Sequence, residues 1–398
     1  MSAAQPLPSP PARRIVCAPR PVSALPALSP SMLLPKPRRS SLPFPFRDPR
    51  TQFFYLGRGA VWHAARLLGL QGEEVLVPAY HHGVEIEALL DAGVRLRFYG
   101  VKSTFQADLT SIGERITPKT KALYVIHYAG FPQPMDDLIA IARTRGLKVI
   151  EDCALSLLSS DGMRPLGSRG DAGIFCLYKT LPVPHGGALW MPRGFDGATL
   201  TPAGIVPTAH QIASSLLTQA EISGGGLGGR LRTFARSAAR AARAVRPLPV
   251  DAKPVGHRTF AKGQENLAIS PLSSHIVQRL DMEAIVDRRR RNYYALMARL
   301  RHLSTPMVHE LAPGVCPLFY PFWCENKREV QAHLAAEGIE SIDFWSEGSP
   351  LVKRGDFPEV DALRAHVLEL PIHQDLDTND IEAIAAGVRR ALGAEGQS

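Results

Sequence analysis

The sequence predicts an α/β fold: a large domain on a mainly parallel central sheet, followed by a smaller C-terminal α+β domain. Three observations predict it. From about Gln52 to Pro192 short apolar runs alternate with stretches of helical periodicity, which implies crossover connections and a sheet covered on both faces. The 398 residues are 45% apolar and 21% charged, ordinary globular usage with ample material for a buried core. No run of about 18 consecutive apolar residues occurs, which argues against a membrane-spanning helix.

In chain order, residues 1–50 carry 13 of the 34 prolines and eight Lys/Arg against Asp48 alone. Proline at that density blocks helices and sheet ladders, so a disordered or loosely draped arm is expected. Prolines also interrupt every apolar stretch of the arm, which argues against a secretory signal. The large domain, 51–200, should then hold a helix over 60–70, a strand over 75–78, a helix over 84–92 and a strand over 95–99. A strand over 122–127, a helix over 135–145 and strands over 148–151 and 173–178 complete it. Between 201 and 262 periodicity fades into a basic insertion, whose stretch 221–262 has nine Lys/Arg against Glu221 and Asp251. In the last segment, 263–398, a long helix is expected from Pro271 through Ile276, Leu280 and Ile285 to the charged run 287–291. A strand beyond Pro317, a helix over 327–337 and a final helix over 378–392, opened by Asp377-Thr-Asn-Asp380, make the small domain.

The net charge of +9 sits in the arm and the insertion, leaving the remainder negative; this does not point to nucleic acid. In the insertion, Arg232, Arg236, Arg240 and Arg243 fall on one helix face, with Leu231, Phe234, Ala238 and Val245 on another. Two readings fit: a helix packed on its own protein, or a weak, salt-sensitive contact of 230–246 with an anionic membrane surface. The five cysteines, Cys17, Cys153, Cys176, Cys316 and Cys324, contain no C-x-x-C pair, so neither a disulfide framework nor a zinc ribbon is indicated. A reducing, cytoplasmic setting fits. Cys153 and Cys176 read as inert buried thiols. His81 and His82 are adjacent and cannot point the same way on regular structure, so no metal site is expected.

The chemistry concentrates on two strands. One, 148–152, ends in Glu151-Asp152; the other delivers Lys179, followed by Thr180-Leu-Pro-Val-Pro-His-Gly-Gly187. Ligands of open α/β sheets collect at the carboxyl ends of strands, where both residues would sit. Pyridoxal phosphate chemistry needs this pair, a lysine for the Schiff base and a carboxylate for the pyridine nitrogen. A structural ion pair uses the same residues.

A resemblance separates these readings. Gly57-Arg-Gly-Ala-Val, Gly69-Leu-Gln-Gly-Glu-Glu-Val-Leu-Val-Pro78, Thr117-Pro-Lys-Thr-Lys-Ala122 with His127 and Gly130, Glu151-Asp-Cys-Ala154 and Gly170-Asp-Ala-Gly173 follow one another in register. With Gly338-Ile-Glu and Leu368-Glu-Leu-Pro-Ile-His-Gln-Asp-Leu376, their order resembles that of the DegT/DnrJ/EryC1/StrS sugar aminotransferases, pyridoxal-phosphate enzymes of fold type I. The resemblance implies Lys179 as Schiff-base lysine and proton shuttle and Asp152 as partner of the pyridine nitrogen. It puts the phosphate at Gly57, Arg58 and Gly59, with Ala154 and Cys176 also at the cofactor. Arg58 stands where threonine is usual, and either adds charge to that turn or faces solvent. His82 falls at the position of a ring-stacking aromatic, with Tyr80 and His81 as alternatives. Asn266 aligns with an asparagine that reaches the phosphate of a neighbouring subunit, which implies a homodimer. The departures are Cys176 for a phosphate-binding serine, Leu155 for a glutamine or histidine, and His185 for an acid. The activity implied is transfer of an amino group from an amino acid, glutamate, to a keto group of a nucleotide-linked sugar, as in polysaccharide biosynthesis. Another pyridoxal-phosphate reaction, such as dehydration or transamination of a non-sugar ketone, or a non-catalytic pyridoxal-phosphate-binding regulatory protein, is the alternative.

Overall fold

The structure, a computed structural model, describes residues 20–34, 37–194, 199–203, 216, 260 and 262–394. The large sheet is built from β1 (Thr51–Phe54), β2 (Glu74–Pro78), β3 (Arg95–Tyr99), β4 (Thr120–Ile126), β5 (Lys148–Cys153), β6 (Ala172–Cys176) and β7 (Gly187–Trp190), with the short β8 (Thr201–Pro202) and β9 (Leu267–Ala268). Its order is β3-β2-β4-β5-β6-β7-β1-β9-β8. The half from β3 to β6 is parallel. Val75, Leu76, Val77, Leu123 and Val125 there are fully buried, the continuous apolar runs expected of strands covered on both faces. From β6 the pairing turns antiparallel through β7, β1 and β9. The sheet is therefore mixed. The physical reason is the connection 177–186 between β6 and β7, too short for the helical crossover that a parallel pair requires.

Helices α1 (Gly57–Leu67), α2 (Val84–Asp91), α3 (Leu109–Arg115) and α4 (Met135–Arg145) connect these strands. The helix expected to run on unbroken from Pro271 is two helices, α5 (Pro271–Val277) and α6 (Met282–Leu300). Asp281 makes the break: its carboxylate accepts from the Ala284 N–H at 3.0 Å and caps a new helix. The C-terminal part is an antiparallel sheet of β10 (Phe319–Trp323), β11 (Ile342–Asp343) and β12 (Val367–Pro371), with β12 central. It packs with α7 (Lys327–Ala336), α8 (Pro358–His366) and α9 (Thr378–Ala391), the last opened by a reciprocal capping box between Asp377 and Asp380.

The arm is not loose from Arg20 on. Val22 bridges to Ile339, Leu28 is fully buried, and Phe44 sets its ring edge-on to Phe175 and Trp190. Proline forbids regular elements but not burial, so an extended, proline-stiffened strap can still seat its apolar side chains. Most of the basic insertion, including 230–246, lies outside the described residues. Among the described residues no helix is long and apolar enough to cross a membrane.

Candidate functional site

A cavity of about 240 Å³ opens where the carboxyl ends of β4, β5 and β6 meet the C-terminal sheet. Strand alternation decides which acid of β5 faces it. Asp152 points into the cavity, while Glu151 points to the other face of the sheet. Asp152 accepts from the Tyr124 hydroxyl at 2.6 Å and from the Ala154 N–H at 2.8 Å. Burial nevertheless pushes its pKa up, against those two bonds and the charge of Lys179. A cation at the free face of this carboxylate would hold it ionised.

Glu151 does the supporting work. Its carboxylate accepts from the backbone N–H groups of Gly167, Arg169 and Gly170 at 3.1, 2.7 and 2.6 Å and lies 3.1 Å from His127 Nε2. The Gln133 N–H donates to His127 Nδ1, which leaves Nε2 as the donor to Glu151. Burial pushes the Glu151 pKa up, but these bonds outweigh it and hold the group below its ordinary value. The linkage sign follows. Stability from Glu151 is complete above the unfolded carboxylate pKa and is lost as pH falls through the lower folded one. Glu151→Ala should therefore cost about 3–5 kcal/mol at pH 7, the cost of breaking a buried charged network. In urea melts the deficit relative to the parent should shrink below pH 4; an equal deficit at pH 3 and pH 7 would contradict this account.

Lys179 lies in the turn after β6, half-buried, on the cavity wall. The turn is fixed from behind. The Leu177 N–H donates to Gly186 O at 2.9 Å, and Leu181 is fully buried in the core. Arg289 of α6 is 0% exposed and donates to Thr180 O at 3.1 Å and Leu318 O at 2.8 Å; Gln374 Nε2 also donates to Thr180 O, at 3.2 Å. Read in sequence, Arg289 was one charge in a run of charges. In the fold it ties α6 and the C-terminal sheet to the residue that follows Lys179.

Gly57 and Arg58, the first residues of α1, form another wall. No side chain caps this helix and no acid stands in its first turn, so the positive end of its dipole faces the cavity. Gly187 lies so close behind that a Cβ on it would meet Gly57 N at 2.4 Å. Arg58 does not face solvent: it is 8% exposed, and burial pushes its pKa down.

Of Tyr80, His81 and His82, only His82 lines the cavity. The Tyr80 hydroxyl donates to Phe344 O, and His81 is tied between Pro78 O and the Ser349 N–H. Ala154, Leu155 and Cys176 also line it. The thiols of Cys153 and Cys176 are buried, which pushes both pKa values up. His185 is fully buried against Tyr55, ring centroids 4.2 Å apart, and burial pushes it down to about 4.

Two expected residues lie outside this wall in the described structure. Gly59 backs onto Glu265, where a Cβ would meet Glu265 O at 3.0 Å. Asn266 Oδ1 sits 3.1 Å from His63 Nε2 of the same chain.

The fold also brings in residues that the sequence reading passed over. Glu85, at the start of α2, accepts from the His82 N–H at 2.9 Å; burial, then the charge of Asp152, pushes its pKa up. Glu369, in the middle of β12, is pushed up to about 8 by burial. Trp345 and the arm residue Leu25 close the wall. A glutamate inside the apolar run Val367-Leu-Glu-Leu370 was the available signal, because such strands rarely carry an acid.

Residues 57–193, the segment that contributes most of this wall, match the profile of the DegT/DnrJ/EryC1/StrS aminotransferase family. Over 124 residues the chain is 36% identical to a UDP-N-acetyl-3-dehydro-alpha-D-glucosamine 3-aminotransferase of Acidithiobacillus ferrooxidans, covering 31% of this chain and 34% of that protein. It is 33% identical over 135 residues to a GDP-perosamine synthase of Escherichia coli O157:H7, covering 33% of this chain and 37% of the relative. The matched stretch thus spans about a third of the length of each of these curated relatives. The fold extends further. The crystal structure of the aminotransferase TlmJ from Streptoalloteichus hindustanus superposes with a TM-score of 0.62 at 21% identity, over 87% of this chain and 86% of that one. The segment that carries Asp152, Lys179 and the Gly57 turn is the segment in which sequence likeness concentrates, and over that segment the chain is similar to the DegT/DnrJ/EryC1/StrS aminotransferase family.

Proposed function

We propose that the protein is a pyridoxal-phosphate-dependent aminotransferase that moves an amino group from an amino acid, glutamate, to a keto group of a nucleotide-linked sugar. One observation carries the reading: Asp152, Lys179 and the uncapped N-terminus of α1 share one cavity wall. The residues present fit the cofactor. Asp152 is a buried carboxylate whose burial calls for a cationic partner, which a protonated pyridine nitrogen provides. The α1 N-terminus and Arg58 suit the phosphate, and the His82 imidazole offers a flat face for the ring. When bound, pyridoxal phosphate supplies an electron sink for the bonds broken at the amino-bearing carbon. Lys179 would hold the cofactor covalently at rest and would carry the proton between the substrate's amino-bearing carbon and the cofactor's C4′ carbon, in opposite directions in the two half-reactions. Asp152 keeps the pyridine nitrogen protonated, and the surrounding apolar side chains exclude water. The relatives, one a 3-dehydro-glucosamine aminotransferase and one a perosamine synthase, support a keto-sugar acceptor.

Borohydride reduction of the purified protein, followed by peptide mass spectrometry, tests this directly. A pyridoxyl group on Lys179 is expected; the adduct on another lysine, or none, would defeat the reading. The active unit is a two-fold dimer in which Asn266 reaches the neighbour's phosphate. Mixing inactive Lys179→Ala and Asn266→Ala proteins should then restore activity through hybrid dimers, and full activity of a monomer in sedimentation would rule the shared site out.

A further inference from the structure

Glu369 is a costly residue without a visible structural return. It sits in the middle of β12, paired across the sheet with Pro321 and with Ile342, which also lines the cavity. Its neighbours Leu368 and Leu370 point the other way, into the core, and are fully buried. Glu369 itself is 9% exposed, and among the described residues no hydrogen bond or ion pair reaches its carboxyl group. Burying an unpaired acid opposes folding, and an apolar residue would serve this strand position at no such cost. Where sequences retain that kind of cost, a ligand commonly offsets it.

The surroundings narrow the ligand. Around Glu369 the wall is apolar, formed by Leu25, Leu318, Ile342 and Trp345, and the nearby cationic side chain on the cavity is Lys179. The proposed reaction occupies Lys179 with the cofactor. A second acid, Glu85, stands towards Asp152 on the same cavity. A carboxyl group whose burial keeps it protonated near neutrality both donates and accepts a hydrogen bond, the pairing that a hydroxyl group requires.

The geometry points to Glu369 as a specificity-determining residue that hydrogen-bonds a hydroxyl group of a polyhydroxylated acceptor, from the C-terminal sheet opposite Lys179. This rests on the aminotransferase reading and adds to it a residue on the acceptor side. The test uses full-length holoprotein with Glu369→Gln and Glu369→Met, and calorimetric titration with UDP-glucose and with UDP alone. Glu369→Met should weaken UDP-glucose about tenfold, the worth of one hydrogen bond from a buried group, and leave UDP unchanged. Glu369→Gln should fall between the two. Both variants should keep the borohydride-fixed cofactor, and Glu369→Met should melt at a higher temperature than the parent because the unpaired acid is gone. Unchanged UDP-glucose affinity, equal losses for UDP and UDP-glucose, no UDP-glucose binding by the parent, or a lower melting temperature of Glu369→Met would each overturn the assignment. Absence of pyridoxyl-Lys179 in the parent would instead remove the aminotransferase reading, and the two failures are read separately.

Discussion

Lys179→Ala is expected to lower the rate of amino transfer by at least about 10²–10⁴-fold, the contribution typical of a positioned acid–base group. Pyridoxal phosphate should then be lost on dialysis, since the covalent tether is gone. The fold should survive: Lys179 is half-buried at the cavity wall, and the turn is held by Arg289, Gln374 and Leu181 rather than by the lysine itself. Stopped-flow absorbance after mixing with glutamate and thermal melting check both parts. A half-reaction within a few-fold of the parent rate would show that another base moves the proton.

Asp152→Asn should cost about 10²–10³-fold in the same half-reaction, the range measured when one preorganised electrostatic partner of a reacting group is removed. An amide cannot hold a pyridine nitrogen protonated. The stability effect should be small and, in cofactor-free protein, not unfavourable. Asp152 carries a raised pKa because burial opposes its charge, and an asparagine oxygen can still accept from the Tyr124 hydroxyl and the Ala154 N–H. Equal half-reaction rates for the variant and the parent would mean that Asp152 is not the pyridine partner.

Much of the architecture was legible because it is local. Period-2 and period-3.6 patterns located the parallel strands β2 to β6 and the helices α1, α2 and α4 within a few residues, since a buried face must recur with the geometry of its own element; the short α3 and the strands β1 and β7 were not read. The order of short motifs carried the family resemblance, and with it Asp152 and Lys179. The break between α5 and α6 was written in Asp281, but a capping residue is hard to distinguish from one more charge in a charged stretch. The packing of the arm on Ile339 and Asp375 could not be read from composition, because proline content forbids ladders and is silent about contacts.

What the sequence by itself determined, then, is the parallel strands, most of the helices, the placing of Asp152 and Lys179 near the ends of adjacent strands, and the resemblance that these carry. The tertiary structure alone decided which of Tyr80, His81 and His82 turns into the cavity, and that Arg58 is buried there while Gly59 backs onto Glu265 and Asn266 meets His63. It also decided that Arg289 anchors the lysine loop and that Glu85 and Glu369 join the site from elements far apart in the chain. The physical reason is that pattern along a chain encodes only burial on one face of one element, whereas a cavity is made where several elements end together. Which side chains meet there depends on long-range packing, and a buried acid such as Glu369 shows its unpaired state only when the sheet around it is in place.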